Sequence, residues 1–159
     1  MERMGFRFLG GLHIIVVGER DPTPADWNAY VGAIHAEEQR GLLAAQTRTL
    51  VFSDGGGPNA AQRRIAREVR DERGSPRAIV TNRAFARAWI TVKGLFTPHC
   101  RAFAPDEMDA VLEFLGIPGM KLQQILRLAR EIQLGLGISA VKSLESARSG
   151  KGGEVSQRP

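Results

Sequence analysis

The chain has one cysteine, one tyrosine, aromatics at only 6% of its 159 residues, and no long apolar run. Each shortage excludes something. A lone Cys100 can close no internal disulfide and cannot build a cysteine-based zinc site. No stretch approaches the roughly 18 consecutive apolar residues of a membrane span. The apolar segment that follows Arg3 and Arg7 is interrupted by Gly10, Gly11 and His13, and it lacks a small-x-small cleavage site. It therefore reads as folded structure rather than a signal peptide, and a cytoplasmic location is expected. Lysine is also scarce (Lys93, Lys121, Lys142 and Lys151), so the net charge of +5 comes mostly from arginine. The arginines are interleaved with acids: Arg63, Arg64 and Arg67 are followed by Glu68, Asp71 and Glu72. That pattern describes a solvated helix face rather than a nucleic-acid patch. With 43% hydrophobic and 25% charged residues, the composition is that of a globular domain able to bury a core without staples.

What is present is an alternation of short apolar runs with amphipathic ones. Phe6, Phe8, Leu12, Ile14 and Val16 recur at even spacing around Gly10-Gly11, which predicts a β-hairpin or one bulged strand over residues 7–18. Thr23-Pro24-Ala25-Asp26 starts a helix, with Thr23 as N-cap and Asp26 three residues on; Trp27, Val31 and Ile34 form its stripe, and it should end near Gly41. TLVFS, residues 49–53, predicts a strand. Asn59 can then cap a helix through Arg73, with Ala61, Ile65 and Val69 inward and Gly74 as its stop. RAIVT, residues 77–81, is the next strand. Asn82 caps a helix carrying Phe85, Trp89, Val92 and Phe96, and Pro98 ends it. His99–Phe103 is a further strand. Pro105-Asp106-Glu107 opens a helix with Met108, Val111, Leu112 and Leu115 inward, closed by Gly116 and Pro118. Alternating strands and helices with short connections predict an α/β domain, residues 5–118, with a mostly parallel sheet of about four to five strands flanked by helices. Leu122, Ile125, Leu126, Ala129 and Ile132 make one more amphipathic helix, and a weaker one is expected over Ile138–Leu144. Residues 119–146 are read as an added C-terminal helical arm that either packs across the domain or pairs with another chain, with self-association or partner docking favoured. Residues 147–159 hold too few apolar side chains to pack and are read as a disordered tail.

This order resembles the STAS-type fold of anti-sigma-factor antagonists, and more closely the small bacterial STAS-like proteins grouped with lipid-binding Sec14-type domains. The stretches that carry the resemblance are VVGERDPTPADWNAYV, TLVFSDGGG, PRAIVTNRAFARAWITVKGLF and CRAFAPDEMDAVLEFLGIP, within residues 10–118. The resemblance implies a regulatory or protein-interaction module. In phosphorylatable antagonists the regulated serine sits in an Asp-Ser-x-Gly turn after a strand. The corresponding place here is Ser53-Asp54-Gly55, with Ser and Asp in reversed order. The residues alone are equally read as ending a strand and capping a turn.

Gly55-Gly56-Gly57 ahead of a helix could cradle an anion, with Arg63 or Arg64 completing the site, or could be a plain strand-to-helix loop. No lysine stands where a P-loop needs one. The candidate partner or anion surface is thus Ser53, Asp54, Gly55, Gly56, Gly57, Asn59, Arg63 and Arg64. Phe85, Trp89 and Phe96 could line a pocket for a small apolar or lipid-like ligand, although the same spacing serves a core. Adjacent His99 and Cys100 point to opposite faces of a strand and do not form a catalytic pair. His13, His35 and His99 lack metal-ligand spacing, and Glu37 and Glu38 do not converge with His35. Asp106, Glu107 and Asp109 suit a first helical turn. No catalytic residues, metal or cofactor are assigned. A protein partner is expected, with a homo-oligomer through residues 119–146, no specific nucleic acid and no membrane span.

Overall fold

The computed structural model describes residues 2–41, 47–69, 75–82, 99–137 and 142–149. The chain opens with the expected hairpin: β1 (Met4–Leu9) and β2 (Leu12–Val17) are antiparallel, paired from Leu9↔Leu12 to Met4↔Val17. The turn is Gly10-Gly11, and Gly10 takes a φ of 57°, a left-handed value that a two-residue hairpin favours and a side chain resists. This turn offsets the pairing so that even positions of β1 share a face with odd positions of β2. Phe6 lies opposite Ile15 and Phe8 opposite His13. The even spacing read through the turn as one face is therefore two faces, with Leu12, Ile14 and Val16 on the other side of the sheet.

Helix α1 (Pro24–Gln39) begins as its sequence dictates. Thr23 Oγ1 accepts from Asp26 N–H at 3.1 Å while the Asp26 carboxylate accepts from Thr23 N–H at 2.8 Å, satisfying two otherwise orphaned donors. Asp26 also accepts from Arg3 N–H at 3.1 Å, tying the N-terminus to the helix start. After α1 come β3 (Arg48–Ser53), α2 (Ala60–Val69), β4 (Arg77–Val80) and β5 (Cys100–Phe103). The sheet order is β1-β2-β3-β4-β5, with β2 to β5 parallel. Three helices follow: α3 (Met108–Phe114), α4 (Leu122–Leu136) and α5 (Lys142–Ser149).

Two apolar layers cover the sheet. On one face Met4, Ile15 and Val17 meet Trp27, Tyr30 and Ile34 of α1, with Ala66 of α2 beside them. On the other, Leu12, Ile14, Val16, Leu50, Phe52, Ala78, Val80 and Phe103 meet Met108, Val111 and Leu112 of α3 and the stripe of α4. Both faces being covered, every residue of β2 is buried. In α2 Gln62 is buried and Ala66 packs against the α1 layer, while the expected Ala61 is exposed and Ile65 half-buried; the side chain of the expected Val69 lies outside the described residues.

The segment expected as an added arm lies on the sheet. Leu122, Ile125, Leu126, Ala129 and Ile132 are all buried in the same cluster as β2 and β3. Of the two fates open to that stripe, packing across the domain is the one observed, so residues 122–136 extend the core reached by residue 118 rather than projecting from it. The last helix also runs past the expected start of a tail at 147: Ala147 is 2% exposed and Leu144 fully buried, and Arg130 Nη1 donates to Glu145 Oε1 at 2.8 Å to join α4 to α5. Residues 150–159 lie outside the described chain, as does the helix expected over 83–98. Among the described residues no helix is long and apolar enough to cross a membrane.

Candidate functional site

The loop between β3 and α2 leaves the carboxyl end of a parallel strand, where α/β sheets commonly bind ligands. Such sites open where neighbouring connections diverge to opposite faces. Here α1 and α2 share one face, so the loops following β2 and β3 press together. Gly56 N–H donates to Gly18 C=O at 3.0 Å, and Asp54 N–H to Val17 C=O at 3.3 Å. A Cβ on Gly56 would lie 2.2 Å from Arg20 O and 2.8 Å from Gly18 O, so glycine is required there for the close approach of two backbones.

Ser53 and Asp54 are each only 6% exposed. The Ser53 hydroxyl donates to Gly56 C=O at 2.7 Å and accepts from Gly55 N–H at 3.1 Å, which folds the loop back on the end of its strand. Gly57 N–H donates to Asp21 Oδ1 at 3.1 Å. Asn59 and Gln62 form a reciprocal cap on α2: Asn59 N–H donates to Gln62 Oε1, and Gln62 N–H to Asn59 Oδ1, both at 2.9 Å. Gln62 Nε2 reaches on to Pro22 C=O at 3.2 Å.

These contacts show where the loop's main-chain donors go. The N–H groups of Gly55, Gly56, Gly57 and Asn59 all have acceptors within the chain, and Pro58 has none to offer, so the loop is closed around its own oxygens. The residues of Ser53–Asn59 are brought together as expected, but as a locked surface rather than an open nest. Arg63 Nη1 donates to Pro58 C=O at 2.6 Å, and Arg64 lies 4.0 Å from Glu68 with both side chains largely exposed. The two guanidiniums thus stand at the solvent face of the helix start, beside the loop, where they can meet acidic groups.

The sequence reading missed Asp21, Arg20 and Gln62, which hold this surface from outside it. Gln62 was accessible, since Asn59-x-x-Gln62 has the N-cap to N3 spacing of a capping box. Asp21 and Arg20 were not, because their role arises only when two loops meet. The proposed apolar pocket residues Phe85, Trp89 and Phe96 lie outside the described residues. The aromatic cluster that is described lies elsewhere: Phe8 stacks on His13 at 4.0 Å between centroids, and Tyr30 meets Phe6 edge-on at 5.3 Å. His13 Nδ1 is 3.4 Å from the Tyr30 hydroxyl, whereas His35 sits exposed beside Glu38; the histidines do not converge. No group of three or more His, Cys, Asp or Glu among the described residues could hold a metal ion. Comparison with family models, with curated proteins and with solved structures returned no match to this chain.

Proposed function

We propose that the chain is a non-catalytic protein-interaction module of STAS-like type, acting in the cytoplasm and docking a protein partner through residues 53–59 and the start of α2. The observation that carries this reading is the locked loop. Its main-chain donors are engaged internally, so it holds one shape in the free protein and loses little conformational entropy on binding. Arg63 and Arg64 beside it supply charge that selects acidic partner groups. Modification at Ser53 would act by unlocking the surface: a phosphate removes the donor to Gly56 C=O and sets charge in a buried position.

The test is recovery of partners by tagged full-length protein from its own cells, quantified for wild type, R63E/R64E and R127E. Arg127 is exposed on α4, over the opposite face of the sheet. Proteins retained by wild type and R127E should be lost with R63E/R64E, whose thermal midpoint should match wild type. Equal recovery with all three removes the assignment.

A further inference from the structure

Strand β1 ends the sheet, and no strand of the described residues pairs with its outer edge. The bond from Gly18 N–H to Arg3 C=O sets the phase of the ladder. Alternate residues of an antiparallel strand turn both main-chain groups the same way, so Gly5, Arg7 and Leu9 bond to β2 while Met4, Phe6 and Phe8 turn theirs outward. Arg7 curls over this edge and donates from Nη1 to the outward Phe6 carbonyl at 3.0 Å. A charged residue on a strand edge discourages indiscriminate pairing, and what it permits depends on the residue set against it.

We propose that the occupant of this edge is a second copy of the chain, with β1 paired antiparallel to β1 about a two-fold axis through Phe6. Charge and the length of pairing select that register, since centring on Met4 or Phe8 leaves Phe8 or Met4 outside the paired segment. Centred on Gly5, the pairing sets Arg3 against Arg7 of the other copy; centred on Arg7, it sets the two Arg7 side chains against each other. Like charges directly opposite destabilise a sheet. Centred on Phe6, Arg7 meets Gly5, which has no side chain, and once Arg7 swings off the Phe6 carbonyl every outward group of Met4, Phe6 and Phe8 finds a partner. Phe6 then faces Phe6, and Met4 faces Phe8, covering the shallow groove of about 260 Å³ that Phe6, Phe8, Ala33 and Ala36 line beside the edge, with Arg7, Glu37 and Arg40 at its charged rim.

Two further features converge there. Gly5 is held bare by α4, since a Cβ would lie 2.5 Å from Ile132 Cγ2 and 3.0 Å from Leu136 Cδ1. The last turn of α4 over Gly5 carries no basic residue of its own, so Arg7 of the second copy arrives at a helix carboxyl end, where a cation is favourable. Leu134, 65% exposed, belongs to the same turn.

Sedimentation of the full chain over a concentration series tests the proposal. Wild type should show a reversible monomer–dimer equilibrium. F6E and F6K should each lose the dimer, because like charges then meet on the axis, while an equimolar mixture of the two should recover it. As a second measurement, F6C in a C100S background should cross-link on oxidation, with Cα atoms about 5.5 Å apart across such a pair, whereas C100S alone should not. A wild type that is monomeric throughout overturns the proposal, including the case in which this edge serves a different protein. So does failure of F6C/C100S to cross-link, and so does failure of the folded F6E and F6K chains to pair when mixed.

Discussion

Replacing Gly56 by alanine adds one methyl group and probes the contact that closes the candidate surface. The new Cβ meets Arg20 O at 2.2 Å, Arg20 C at 2.7 Å and Gly18 O at 2.8 Å. All three are backbone atoms, so no flexible side chain can swing aside and the two loops must separate. Overpacking of this kind costs about 1–3 kcal/mol. Separation also strains the Gly56 N–H bond to Gly18 and the Ser53 bond to Gly56 C=O, at about 1 kcal/mol each. The expected loss is therefore about 3–5 kcal/mol, or about 6–20 °C in thermal midpoint for a domain of this size. Gly57 supplies the control: a Cβ there has nothing within 4 Å and its φ lies outside the left-handed region, so G57A should stay within about 0.5 kcal/mol of wild type or gain slightly. Urea unfolding followed by circular dichroism measures both, with the midpoint shifting at constant m. A G56A variant as stable as G57A would refute the close approach of the two loops and the locked surface built on it.

S53A removes a buried hydroxyl bonded on both sides and strands Gly55 N–H, so it should cost about 1–3 kcal/mol in the same assay; a cost near zero would mean the loop is not held by Ser53. I125A truncates a fully buried side chain of α4 and should lose about 2–5 kcal/mol, whereas the same change on a helix docked nowhere would stay within about 0.5 kcal/mol. T23A breaks one half of the capping box on α1 and should cost about 1 kcal/mol, read as a lowered urea midpoint with native far-ultraviolet signal.

The parts of the fold that follow from local rules were legible. Thr23, Pro24 and Asp26 announced α1 because a capping box depends on residues three apart, and Gly10-Gly11 announced the hairpin because a two-residue turn needs left-handed backbone. The apolar stripes Met108-Val111-Leu112-Leu115 and Leu122-Ile125-Leu126-Ala129-Ile132 gave their helices and inward faces correctly, and all nine side chains are buried. What could not be read was where each stripe finds its cover. A stripe states that a face must be buried, but not against which surface, and so residues 122–136 could be taken for an arm. The closure of the loop was hidden for a similar reason: glycines in sequence offer N–H groups, and only the fold reveals that Ser53, Gly18, Asp21 and Gln62 accept from them.

The placement of α4 follows from the order of the strands. Parallel strands added in chain order through right-handed connections send their helices to the same side, and α1 and α2 accordingly share one layer with Ile15 and Val17. The reverse face of β2, β3 and β4, built from Leu12, Ile14, Val16, Leu50, Phe52, Ala78 and Val80, lies away from α1 and α2. Among the described residues it is closed by chain that follows β5, namely α3, α4 and α5. α4 also spans β1 and β2, the part of the sheet farthest from β5, with the length of a four-turn helix. The same span brings its last turn over Gly5 at the open edge. The length of α4 and the bareness of Gly5 are thus two sides of one constraint: the face that lies away from α1 and α2 is closed by a helix whose end settles where the sheet itself ends.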